Sequence, residues 1–383
     1  MRRRPSAALL ALLGTLAAPV IAAAPAPSPC TTAAASCLAT HPIGDHKLRY
    51  YRSLPITEAG APKAVLIAIH GYQHDADVTF NAVAKAAQTS GALGTTLIVA
   101  PVFQPEDDPN HKPCTGTPKP EPGELTWSCG GWSQGHAASG HGPTVFDVTD
   151  QFIEAILAAN PSIRTVTVAG FSDGGQMVQH YAAVAAPKLS SAKLRFVVGD
   201  PGSWLYFDPT RPYPVHDGKP VPWSACQPTS SGSLGCDLAM LPDVPGPPAR
   251  WTPPAGWTPP QKCDSGWRNN FNNWKYGTNQ PPSEVKRSAA DMRSAYATAD
   301  VTALLGIGDD KGGPANMRTV FDMSCPANLE GNYRLQRGLG YRHYAETVLK
   351  APHRFVLVPV CTHDPTCVFT STEAGPVLFP HGD

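Results

Sequence analysis

"TVTVAGFSDGGQMVQHY", residues 165–181, joins a short β-branched run to a helical one through a serine set among glycines. Thr165 to Gly170 predicts a buried strand, and the residues from about Gly174 predict a helix. Gly170, Ser172 and Gly174 fit Gly-x-Ser-x-Gly, with Gly175 adding slack. At such a corner the serine backbone is strained, and the positions two before and two after it must lack bulk. The serine Oγ then projects beyond the carboxyl edge of a sheet. The following helix aims its first N–H groups and positive dipole end at the same spot. Gly-x-Ser-x-Gly alone also occurs in ordinary Gly-rich turns. The strand before it and the helix after it make Ser172 a candidate nucleophile.

Outward from this corner the same rhythm repeats. "AVLIAIHG" (64–71), "TTLIVAP" (95–101), "LRFVVGD" (194–200), "VTALLGIG" (301–308) and "RFVLVPV" (354–360) read as buried strands. "FNAVAKAAQTSG" (80–91), "PTVFDVTDQFIEAILAAN" (143–160) and a stretch near 329–350 read as helices between them. Alternating strands and helices predict an α/β fold, an open and mostly parallel sheet with helices on both faces and right-handed crossovers. Residues 201–285 break the rhythm, with 17 of the 42 prolines and six of the eight tryptophans. That segment is either a decorated loop with its own small core or a cap over the strand ends.

With these residues in view, the sequence resembles the α/β-hydrolase family over most of the chain outside the N-terminal segment and 201–285. The resemblance implies a serine, an acid and a histidine in that chain order. The acid of the family follows a late strand, which points to Asp309, with Asp310 second and Asp200, closing "LRFVVGD", third. The histidine of the family sits after the last strand, where "RFVLVPVCTHD" places His363; the only later histidine is His381. The family's oxyanion hole maps onto the backbone N–H of Asp173 and that of Tyr72, or Gln73, in the "HGYQ" turn. His70 in that turn reads as a buttress. No cofactor and no metal are implied: there is no Cys-x-x-Cys pair, and "PEDDPNHKP" lacks a calcium-loop pattern.

The chain of 383 residues is 42% hydrophobic and 16% charged with zero formal net charge, which points away from nucleic acid and anionic membrane surfaces. Its start, "MRRRPSAALLALLGTLAAPVIAAAPAPS", has three arginines before an apolar run from Ala7 to Ala22. That reads as a secretory signal over residues 1–23, followed by a single domain, 24–383, in a secreted or periplasmic protein. The run is short of the ~20 residues of a membrane span. All ten cysteines follow it, and an even count in an exported chain suggests disulfides. Spacing does not fix their pairing; near neighbours such as Cys30 with Cys37, Cys114 with Cys129 and Cys361 with Cys367 are first guesses.

The loop 104–142 leaves a strand's carboxyl end and is expected to wall the site, with Trp132 in it and Trp204 in 201–285 as substrate contacts. Aromatic walls in an exported chain suit a polymer or an aromatic ester. In its expected secretion, disulfides and insertion the chain resembles extracellular polyester depolymerases, such as those acting on polyhydroxybutyrate, and feruloyl esterases. It also resembles, more loosely, poly(aspartic acid) hydrolases. The expected activity is hydrolysis of a small-molecule or polymeric carboxylic ester by a serine hydrolase. The alternatives are an amidase or peptidase using the same residues and a non-catalytic binding module of the same fold.

Overall fold

The computed structural model describes residues 28–58, 61–106, 118–241, 266, 270–310 and 321–380. The signal-like start, Cys114, Trp251, Trp257, Cys263, Trp267 and His381 lie outside the described residues. Eight strands form the central sheet: β1 (Leu38–Ile43), β2 (His46–Arg52), β3 (Ala64–Ile69), β4 (Thr96–Pro101), β5 (Thr165–Phe171), β6 (Lys193–Gly199), β7 (Asp300–Gly306) and β8 (Arg354–Val358). Their spatial order is β1-β2-β4-β3-β5-β6-β7-β8. The β1–β2 and β2–β4 pairings are antiparallel, and every other pairing is parallel.

Alternation along β3 explains the two cores. Val65, Ile67 and Ile69 pack on one face with α2 (Val145–Ala159) and α3 (Asp173–Val184). Leu66 and Ala68 pack on the other with α1 (Ala76–Thr89). A strand covered on both faces has no polar side, so its sequence is a continuous apolar run. α2 starts after Thr144, which forms a reciprocal capping box with Asp147, and Pro143 stands just before that cap. α1 starts at Ala76, four residues before the periodic run that announced it.

The described part of the interruption folds against the central sheet. Arg211–His216, Lys219–Pro220 and Asp237–Leu241 make a small antiparallel sheet, and Cys226 bonds Cys236. Trp223 donates from Nε1 to the Leu329 carbonyl at 3.0 Å, and Trp274 donates to that of Gln134 at 2.8 Å. The Lys275–Asp322 ion pair, at 2.8 Å, ties the segment to the stretch before the helices α5 (Cys325–Glu330) and α6 (Arg334–Tyr344). Before β7 lies α4 (Ala289–Thr298), and after β8 comes α7 (Pro365–Phe369). Among the described residues no helix is long and apolar enough to cross a membrane.

Candidate active site

β5 runs straight into Ser172, whose backbone stands at φ 59° and ψ −121° before α3 begins at Asp173. The flanking glycines are there for close approach. A Cβ on Gly170 would lie 2.2 Å from the Gly174 carbonyl oxygen, and one on Gly174 would lie 2.3 Å from that of His70. Strand, corner and the end of β3 thus touch backbone to backbone, and Ser172 N–H donates to the Gly199 carbonyl of β6 at 2.9 Å.

Over this corner three side chains form one hydrogen-bonded row. Ser172 Oγ is 2.8 Å from His363 Nε2, and His363 Nδ1 is 2.8 Å from Asp309 Oδ2. An ionised carboxylate only accepts hydrogen bonds, so Nδ1 carries the ring proton and Nε2 accepts from the serine. His363 lies in the loop closed by the Cys361–Cys367 disulfide, and its ring packs on Phe171 at 4.8 Å. Asp309 follows β7 by three residues, its N–H donating to the Gly306 carbonyl at 3.0 Å.

The three residues are nearly closed to water, at 7%, 1% and 4% exposure for Ser172, Asp309 and His363. Burial lowers the His363 pKa, and the Arg334 guanidinium lowers it further against the opposing pull of Asp309. Burial by itself would raise Asp309, but His363 and Arg334 hold it below the usual carboxylate range. Asp310 and Asp200, the other candidate acids, do not carry the histidine. Both Asp200 oxygens accept instead from the Gly306 N–H, at 3.0 and 3.1 Å.

The candidate oxyanion donors sit on two sides of the serine. Asp173 opens α3, and the first N–H groups of a helix find no acceptor within it. Tyr72 stands at the corner of a turn closed by a 3.1 Å bond from His74 N–H to the Gly71 carbonyl. His70 Nε2 accepts from Phe103 N–H at 3.1 Å and Nδ1 donates to the Gly71 carbonyl at 2.9 Å, a buttress for that turn. Burial and the nearby His74 push its pKa down to about 3, so it is a neutral strut. The Asp173 side chain turns away from the cleft, accepting from Ser133 Oγ at 2.9 Å, and burial pushes it up to about 6.

Both tryptophans expected to meet substrate do not. Trp132 is fully buried against His70, with ring centroids 4.7 Å apart, and Trp204 is fully buried on Tyr341 at 4.4 Å. Each ring buries more apolar area inside the protein than a shallow cleft wall offers, so packing wins. Trp127 is buried likewise, donating to the Pro143 carbonyl. The cleft over Ser172 has a volume of about 340 Å³ and is walled by Tyr72, Gln73, Asp75, Val78, Thr79, Phe171, Thr362, Asp364 and Pro365. Its described walls come from the turn after β3, the first turn of α1 and the His363 loop, with none from 104–142 or 201–285. Sequence reading missed Asp75, Val78 and Asp364, since nothing local marks two loops as facing each other.

Asp200, Asp309 and His363 offer ligand atoms within 4.8 Å of one another, the spacing of a metal site. However, Asp309 Oδ2 and His363 Nδ1 are engaged with each other, and Arg334 stands 3.6 Å from Asp309 Oδ1 where a cation would sit.

No family model matches the chain, and no curated protein matches it. Among solved structures, poly(aspartic acid) hydrolase-1 from Sphingomonas sp. KT-1 is similar at 16% identity and TM-score 0.48, covering 86% of this chain and 95% of that one. A poly(3-hydroxybutyrate) depolymerase from Bordetella parapertussis is similar at 14% identity and TM-score 0.45, covering 88% and 84%. A siderophore hydrolase from Aspergillus nidulans is similar at 10% identity and TM-score 0.42, covering 91% and 96%. These likenesses are too distant to bear on activity. Strand order and the serine corner make the case by themselves: this chain is built on the α/β-hydrolase fold.

Proposed function

We propose that the protein is a serine hydrolase that cleaves carboxylic esters through an acyl-enzyme, with Ser172 as nucleophile, His363 as base and Asp309 as its acid partner. The observation that carries this reading is the unbroken row from Ser172 Oγ through His363 to Asp309, each step 2.8 Å, opening on a cleft. His363 takes the serine proton as Oγ attacks the ester carbonyl, because a free hydroxyl is a poor nucleophile at neutral pH. Asp309 fixes the tautomer and stabilises the imidazolium. The N–H groups of Asp173 and Tyr72 receive the oxyanion, each donor worth ~3 kcal/mol. His363 then protonates the leaving alcohol, and water releases the acyl group by the same route.

An ester is favoured over a polyanionic amide such as poly(aspartic acid) by the charge of the cleft. Asp75 and Asp364 line it, and no lysine or arginine does among the described residues. Burial pushes Asp75 up to about 6, so it is an anion at neutral pH and repels a carboxylate-bearing chain. Export to an oxidising compartment is part of the proposal, supported by the Cys30–Cys37, Cys226–Cys236 and Cys361–Cys367 bonds. So is a single domain over residues 24–383.

A fluorophosphonate probe is expected to label Ser172, and Ser172→Ala is expected to lower kcat on p-nitrophenyl esters by about 10⁴ to 10⁶. Neutral polyesters and aryl esters should be cleaved in preference to poly(aspartic acid). Absence of labelling would favour a binding module, and faster cleavage of poly(aspartic acid) would favour the amidase.

A further inference from the structure

We propose that Asp200 is a neutral carboxylic acid whose O–H is directed at Oδ1 of Asp309, a positioning residue that keeps the pair singly charged. The two residues stand side by side at the carboxyl ends of adjacent parallel strands, β6 and β7, where Gly199 pairs with Leu304. Asp200 is 0% exposed and Asp309 1%. An oxygen of each lies within 4.8 Å of the other and of a His363 ring nitrogen. Two carboxylates this near each other in a water-poor site resist ionising together, which favours a proton on one of them.

Which one holds it follows from the partners. Asp309 faces the His363 N–H and Arg334, whose guanidinium stands 3.6 Å from Oδ1 and lies over the Phe321 ring at 4.4 Å. Among the described residues Asp200 accepts only from the Gly306 N–H, shared between its two oxygens, and Arg334 acts on it more weakly through charge alone. Burial and the neighbouring Asp309 drive Asp200 well above the usual carboxylate range, while His363 and Arg334 hold Asp309 below it.

A second observation points the same way. Asp309 Oδ1 is buried with no hydrogen-bond donor among the described residues, and 3.6 Å is too long for Arg334 to serve as one. Asp200, an oxygen of which lies within 4.8 Å of an Asp309 oxygen, is the neighbouring group that a proton would turn into such a donor. The backbone is strained at this placement. Asp200 has φ 34°, and Gly306 leaves room where a Cβ would meet Asp200 Oδ2 at 3.0 Å and the Cys361 carbonyl oxygen at 2.6 Å. With Asp200 neutral, Arg334 offsets Asp309, and the imidazolium that forms on His363 meets one anion in fixed register. Asp364, the residue after His363, is the other nearby carboxylate acting on the ring.

The positioning role rests on the serine hydrolase reading; the protonation state does not. Infrared spectra of protein carrying carboxyl-labelled aspartate, taken at about pH 8, test the state directly. The aspartates Asp75, Asp150 and Asp173 are pushed up only to about 6 and are ionised there, while Glu330, pushed up to about 8, carries no label. One labelled carboxylic-acid carbonyl band is expected in the wild type and none in Asp200→Asn. No band, or a band that survives the substitution, overturns the proposal. If Asp200→Asn fails to fold, Asp200→Ala takes its place in the same comparison.

Kinetics supply the second arm. Asp200→Asn keeps a donor and is expected to hold kcat/KM within about threefold with its acid limb unmoved. Asp200→Ala, lacking one, is expected to lose about tenfold in kcat, the low end for one hydrogen bond to a charged group. An acid limb lowered by a full unit in Asp200→Asn would mean that an anion had been removed, and overturns the proposal. A wild type with the band but no esterase activity would sink the hydrolase reading and leave the protonated state standing.

Discussion

Ser172 carries a backbone conformation that a non-glycine residue adopts at a cost of roughly 1–3 kcal/mol, and its neighbours offset it. The Ser172 N–H is bonded to β6, and Gly170 and Gly174 admit backbone contacts that any Cβ would block. His363 shows how the surroundings set chemistry. As the proposed base it must be neutral to act, and burial with Arg334 lowers its pKa from 6.5, so the neutral form persists to lower pH. The acid limb of kcat/KM on a neutral ester is therefore expected below pH 6.5, with the rate near its plateau at pH 7. A midpoint at or above 7 would contradict the burial argument. Ser172, Asp309 and His363 were legible because each follows a strand whose apolar run is unmistakable. Asp75, Asp364 and Arg334 were not, because their places depend on which loops the sheet brings together.

Among the elements, α2 was the most legible helix, since Pro143 and the apolar period agree. Its cap is open to measurement. Thr144 Oγ1 accepts from the Asp147 N–H at 3.0 Å, and Asp147 Oδ2 accepts from the Thr144 N–H at 3.0 Å. Thr144→Ala removes half of that box and is expected to destabilise the fold by about 1–2 kcal/mol, read as a lower denaturant midpoint with an unchanged slope. The β1–β2 hairpin escaped the sequence reading for a physical reason. β1 has a single buried residue, Ile43, and Thr40, His41 and Pro42 interrupt it, so it lacks the continuous apolar run by which the inner strands announce themselves. The described part of residues 104–142, read as a loop, lies off the cleft: Trp132 packs on His70 and His74 of the turn after β3, and Trp127 packs on Phe103.

For the molecule as a whole, strand and helix alternation gave the sheet and left the interruption undecided between small core and cap. The described part of 201–285 answers as a packed extension: Trp204, Trp223 and Arg211 are buried, and none lines the cleft. Trp204→Ala is expected to destabilise the protein by about 3–5 kcal/mol while KM for a small ester stays unchanged. A raised KM with stability intact would return that ring to the substrate.

The row of Ser172, His363 and Asp309 also has a temporal meaning. Serine and histidine are 191 residues apart in the chain, and β8 pairs at the far edge of the sheet from β1. Such distant pairings form late, after the costs of loop closure have been met. As the proposed nucleophile, Ser172 gains its base only once β8 and the loop carrying His363 have docked.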